Sequence, residues 1–222
     1  MKVKSKRIRG FTLIELLVVI TIIAMLAAGA YAGYNALMPG IRAKQAAKQT
    51  VTIFTWITAY ASDQSGSYPI GDSANLAYRE LFKGGYGADE NQFYIPNDAY
   101  HDTAKNKRPD GDKGREPDFE QALQQGENAF AYVSGLSSSD DGRIPLIANG
   151  FAGQPGVWTK DPKAKGGVFN GKYGVVCRVS GSAAAHDLKN GIYEVKEQFG
   201  GQEVNIFTSG FQDKTFDVVP PL

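Results

Sequence analysis

From Phe11 to Met38 the chain runs 28 residues with a single charge, Glu15. No other stretch limits so strongly what this chain can fold into. About 20 apolar residues in helical conformation cross the ~30 Å hydrocarbon core of a bilayer, so the segment predicts a membrane-spanning helix. Lys2, Lys4, Lys6, Arg7 and Arg9 stand directly before it. Basic residues favour the cytoplasmic side of a span, which predicts a cytoplasmic Met1 and a single pass that carries the rest of the chain across. Those five cations also mask the character of the remainder: the formal net charge of +1 becomes −4 once the first ten residues are set aside. Nucleic-acid binders concentrate Lys and Arg on one face, so a nucleic-acid partner is excluded. Cys177 is the sole cysteine, which rules out an intrachain disulfide and any CxxC redox or zinc site.

Beyond the span, Pro39-Gly40 predicts a kink, and a helical period resumes from Ile41 to about Ser62. Val51, Phe54, Ile57 and Ala61 recur at spacings of three and four, with Ile53, Trp56 and Tyr60 as a neighbouring stripe, which marks one wide apolar face. The polar residues Arg42, Lys44, Gln45, Lys48 and Gln49 place the exit from lipid there, with the later turns packed on a soluble domain. Ser65-Gly66-Ser67 ends the helix. The organisation expected is a basic leader at 1–10, a span at 11–38, an amphipathic helix at 39–65 and a globular head at 66–222. Within the head, the charged and turn-rich residues Ala104 to Asp118 predict a long surface loop. Residues 143–148, 173–180, 192–197 and 203–208 have the β-branched and aromatic content of strands. Helix first and strands later predicts an α+β fold, a long helix lying across an antiparallel sheet.

Several head segments invite a chemical reading. Asp110-Gly111-Asp112 with Glu116 and Asp118, and separately Asp140-Asp141-Gly142, could offer oxygen ligands to calcium. The first lacks EF-hand spacing, with Arg115 where glycine is required, and solvated turn carboxylates explain both; the metal is left unknown, and no cofactor is expected otherwise. Gly166 to Lys172 matches most of a P-loop, but Tyr173 replaces the Ser or Thr that would hold magnesium, and a strand follows where phosphate binding needs a helix N-terminus. His101 and His186 are the only histidines. Ser182 and Asp187 neighbour His186 in sequence without a G-x-S-x-G elbow, and no catalytic residue is assigned.

Residues 9–20 read Arg-Gly-Phe-Thr-Leu-Ile-Glu-Leu-Leu-Val-Val-Ile. Behind their short basic leader they resemble the prepilin-type N-terminal cleavage and methylation motif of type IV pilins and type II secretion pseudopilins. The resemblance covers roughly the first 40 residues without a gap. It implies that prepilin peptidase cuts between Gly10 and Phe11 and N-methylates the new Phe11 amine. It also implies that Glu15 pairs with the N-terminus, Phe11, of an adjacent subunit. The partners implied are other pilin or pseudopilin subunits, an inner-membrane assembly platform and membrane lipid. The localisation implied is a bacterial inner membrane with a periplasmic head, then a filament. The function implied is structural: a subunit of a type II secretion pseudopilus or type IV pilus, with a pilin-like α+β fold. Ser65-Gly66-Ser67-Tyr68-Pro69 looks like the Gly-x-Tyr-Pro stretch of G-type pseudopilins, and Asn128 to Val133 and Pro145 to Gly150 are similar to segments of pilin-like proteins. The absence of a C-terminal cysteine pair favours the pseudopilin side. Major type IV pilins carry a proline where Ala32 stands here, and Pro39 comes later.

The physics of Glu15 points the same way. A carboxylate in the outer turns of a spanning helix costs up to a few kcal/mol, so it calls for a partner. An α-amine freed by cleavage, with an ordinary pKa near 8, remains cationic beside it. Gly29 and Gly33, four apart, let helices approach closely or mark a point of unwinding. Three other readings stay open at this level: an ordinary signal peptide cut near Ala28-Gly29-Ala30, a plain single-pass anchor, and an adhesin displayed on a filament through loops such as Gly84-Gly85-Tyr86-Gly87.

Overall fold

The computed structural model describes residues 11–101, 109–189, 191–208 and 217–222. Gly10, the basic leader and residues 104–108 of the expected loop lie outside the described residues. The chain divides into two compact units, Met1–Met38 and Pro39–Leu222. Helix α1, Leu13–Asp63, continues through Pro39 where the sequence predicts a kink. A proline withholds one amide donor from the ladder, and that loss does not end this helix.

In the second unit, α1 buries Ala43, Ala46, Ala47, Thr50, Ile53, Ile57 and Ala61, a single stripe at spacings of three and four. Phe54, Trp56 and Tyr60 pack at its margin, partly buried. Val51, which periodicity places on the apolar face, is exposed. The stripe is set by Ala43, Ala46 and Ala47, interleaved with Lys44 and Lys48, because small side chains let a helix approach its neighbours closely. Thr50 tolerates full burial by donating its hydroxyl to the Ala47 carbonyl at 2.8 Å.

Helix α2, Ala74–Lys83, starts at Ser73, whose side chain accepts from the Leu76 amide, and buries Ala74, Asn75, Ala77, Tyr78, Leu81 and Phe82. The strands are β1 Phe130–Ser134, β2 Pro145–Asn149, β3 Tyr173–Arg178, β4 Ala183–Asp187, β5 Lys196–Phe199, β6 Gln202–Asn205 and β7 Asp217–Val219. Five form an antiparallel sheet in the order β4-β3-β2-β1-β7, and β5 and β6 form a separate hairpin. The fold is thus α+β, with the later half of α1 packed on the antiparallel sheet. β2, β3 and β6 fall within or beside predicted strands. The strand expected at 192–197 begins only at Lys196, after isolated bridges from Ile192 to Lys189 and from Glu194 to Val157. β4, with three alanines, carries no strand signal of its own. Its register against β3 makes it a strand, tertiary pairing overriding propensity.

The core joins α2 to the sheet through aromatic contacts. Tyr78 sits 4.9 Å from Phe93 and 5.2 Å from Tyr132 between ring centroids, and the two tyrosine hydroxyls donate to the Ala131 and Pro69 carbonyls. Arg178 ties the β5–β6 hairpin to β3 by pairing with Glu197, while also donating to the Arg143 carbonyl.

Asn75, fully buried, is a four-way junction. Its amide donates to the Leu123 and Gln124 carbonyls, and its oxygen accepts from Asn128 Nδ2 at 3.0 Å and from the Leu222 amide at 3.1 Å. Asn75→Ala leaves buried groups unsatisfied at about 1–3 kcal/mol each. The expected loss is about 3 kcal/mol, and thermal unfolding should move down by roughly 6–12 °C. An unchanged midpoint would contradict the junction.

Candidate functional site

The first turn of α1 is closed by reciprocal hydrogen bonds. Thr12 N and Thr12 Oγ1 both donate to Glu15 Oε2, at 2.8 and 2.7 Å, and Glu15 N donates back to Thr12 Oγ1 at 3.3 Å. The Leu16 amide reaches the Thr12 carbonyl at 3.2 Å. Thr12 and Glu15 therefore form a capping box, which satisfies amides that a helix start leaves without partners. Thr12-Leu13-Ile14-Glu15 is the S/T-x-x-E pattern itself, a local role for Glu15 that the sequence analysis, which assigns it a cation, does not include. One carboxylate oxygen of Glu15 is held within the chain, directly after Phe11, which is exposed.

Behind this turn every described side chain from Phe11 to Leu37 is exposed. Leu13, Ile14, Leu16, Leu17, Ile20 and Leu26 are among them. A bare apolar surface of this extent marks a membrane or protein contact, and from Leu13 to Tyr34 the helix rises about 32 Å, matching the ~30 Å hydrocarbon core. Tyr31 and Tyr34, both exposed, stand near the far end, where aromatic residues favour the interface. An added Cβ at Gly29 or Gly33 would meet nothing within 4 Å, so the helix surface at both is open.

The described residues of the head offer no comparable site. Asp110 Oδ1 accepts from the Asp112 amide and Asp112 Oδ1 from the Gly114 amide. Asp140 accepts from Ser137. Asp141 is clasped by Arg143, Nη2 to Oδ2 at 2.8 Å, which holds its carboxyl down at about 2. No group of three or more His, Cys, Asp or Glu is placed to hold a metal among the described residues. Gly166 to Lys172 leads into β3, as expected, and not into a helix. His101 is buried and its basicity lowered by that burial; Nε2 accepts from the Ile95 amide and Nδ1 lies 2.8 Å from the Gly126 carbonyl, so both nitrogens are engaged. Ser182 and His186 are four residues apart along extended chain, about 13 Å, too far for proton exchange. Burial pushes the Cys177 thiol up to about 12, leaving it inert.

Two buried carboxylates escaped the sequence reading. Asp98 Oδ1 accepts from the Tyr100 amide, whereas Oδ2 has no hydrogen-bond partner, and burial raises the group to about 7. Glu90 Oε1 accepts from the Leu123 amide, Oε2 has no partner, and burial raises it to about 6. An acid whose folded pKa is raised favours the protonated fold, so stability falls as pH climbs from the unfolded value and the loss is complete above the folded one. His101 acts oppositely, costing stability below about pH 6.5. Asp98→Asn should therefore raise the unfolding midpoint at pH 8, by roughly 4–8 °C for about 2 kcal/mol, and leave it little changed at pH 4. Equal shifts at both pH values would refute the assignment.

Residues 5–31 match the model for the prokaryotic N-terminal methylation motif. No curated protein and no solved structure matches the chain. The matched segment contains the capping box and most of the uncovered helix described above. The chain thus carries a prokaryotic N-terminal methylation motif at the head of an apolar helix long enough to cross a membrane.

Proposed function

We infer that the protein is a structural subunit of a pilus-like filament, a type II secretion pseudopilus or a type IV pilus. Prepilin peptidase removes residues 1–10 by cutting between Gly10 and Phe11 and methylates the Phe11 amine. Residues 11–38 then hold the subunit in the inner membrane, with residues 39–65 completing the helix and residues 66–222 forming a periplasmic head. On assembly the apolar helices pack together, and Glu15 meets the Phe11 amine of an adjacent subunit. The observation that carries this reading is the pairing of the methylation motif with an apolar helix whose side chains are exposed. Burial of unpaired ions is costly, which favours the assembled state once cleavage has exposed the amine. The lone, buried Cys177 leaves no disulfide-stapled head, which supports the pseudopilus over the pilus.

Mass spectrometry of the full chain coexpressed with a prepilin peptidase tests the reading. The mature protein should begin at Phe11 and be one methylene heavier than the plain sequence, and Gly10→Val should stay at precursor mass. A mature end near Ala28 to Ala30 would instead establish an ordinary signal peptide.

A further inference from the structure

A groove of about 490 Å³ runs between α1 and the edge strand β4. Lys44, Lys48 and Val51 of α1 form one wall, and the alanines of β4 form the other. Lys44 and Lys48 are exposed and one turn apart, a spacing at which like charges repel. Neither takes part in any of the ion pairs among the described residues, and Asp187, the acid at the rim, pairs with neither. Among the described residues β4 pairs with β3 alone, which leaves its outer backbone groups open there. The opposite edge is guarded: Pro220 and Pro221 follow β7, and the Pro220 carbonyl is taken by the Ala74 amide.

Elsewhere on the head lies a complementary surface. Asp110, Asp112, Glu116, Asp118 and Glu120 are all exposed, and none is ion-paired among the described residues. Of the two cations within that stretch, Lys113 is turned inward onto the Ala88 carbonyl and the Phe82 ring, which leaves Arg115. None of these acids lines the groove.

We propose that the groove between α1 and β4 receives the acidic Asp110 to Glu120 segment of a second copy of this chain. Lys44 and Lys48 meet its carboxylates, and amides on the outer edge of β4 donate to carboxylate oxygens that the lysines leave free. The small alanine side chains leave room for the segment. Groove and acidic segment are different surfaces, so the contact is heterologous and each docked copy presents the same free groove again. Contacts of that kind propagate into open filaments where they do not close into rings. The inference rests on the filament reading above and adds the head contact to it.

The test uses the full, processed chain assembled as equal parts of nitrogen-15-labelled and unlabelled protein. A carbodiimide, which joins a touching amine and carboxylate as an amide with loss of water, is applied to the filaments. The expected product links Lys44 or Lys48 of one isotope to an acid of the 110–120 segment of the other. Lys44→Glu with Lys48→Glu should lower filament yield by at least about tenfold, the effect of 1.4 kcal/mol. Adding Asp110→Lys and Asp112→Lys should restore it in part. Normal assembly of the doubly reversed lysine variant, links that join only equal isotopes, or loss of binding to anionic vesicles with assembly unchanged would each overturn the proposal and leave the filament reading standing. Wild-type chains that begin at Phe11 yet form no filaments would overturn both.

Discussion

Glu15→Ala is expected to leave membrane insertion and cleavage intact and to cut filament yield by at least about tenfold, since an unpaired buried amine costs more than 1.4 kcal/mol. The capping box gives this experiment two controls that separate local from intersubunit roles. Thr12→Ala removes the cap, worth about 1 kcal/mol, and keeps the charge. Glu15→Gln keeps an acceptor suited to the capping box and removes the charge. If the carboxylate serves a neighbouring amine, the glutamine variant fails as the alanine variant does, whereas Thr12→Ala assembles with a modest deficit. Filament recovery by shearing and sedimentation reads all three. A glutamine variant that assembles normally would reduce Glu15 to a cap.

The largest stability effect is expected at Trp158. Its ring is buried and packs 5.4 Å from Phe151 and 6.3 Å from Phe207. Its Nε1 donates to the Asn149 carbonyl, and its own amide reaches the Tyr193 carbonyl. Gly174 of β3 lies against its face so tightly that a Cβ there would come within 2.9 Å of the ring. One residue therefore joins β2 and β3 through its side chain and the chain leading to β5 through its backbone. Trp158→Ala should cost about 3–5 kcal/mol, a large part of the 5–15 kcal/mol typical of a domain. Denaturant unfolding would measure it, and a loss below about 1 kcal/mol would show that the site collapses around the deletion.

Where the sequence was read well, the signal was local and strong. The long N-terminal helix, and β2 and β3, follow from local runs of residue type. Where it was read poorly, long-range contacts decided. The buried stripe of α1 is drawn by Ala43, Ala46 and Ala47, residues too small to register as an apolar face, and Val51 was left outside. β4 is a strand because β3 is beside it, whereas α2 carries a readable period of its own, with Ala74, Ala77, Tyr78, Leu81 and Phe82 at spacings of three and four behind the Ser73 cap. At the N-terminal turn the reverse held. Thr12 and Glu15 carry a readable pattern, masked by the demand for a counterion that a carboxylate in an apolar helix makes. Asp98 and Glu90 could not be found at all, since a carboxylate's burial is a property of the packed head and not of its neighbours in the chain.

The Asn75 junction also sets an order of events in time. Its oxygen receives the Leu222 amide, 147 positions away, and β7 must arrive before β1 gains its outer neighbour. Closing so long a span is slow relative to local structure. The buried junction and the outer edge of the five-stranded sheet are therefore expected to lock together as one late step, after the local helices and hairpins have formed.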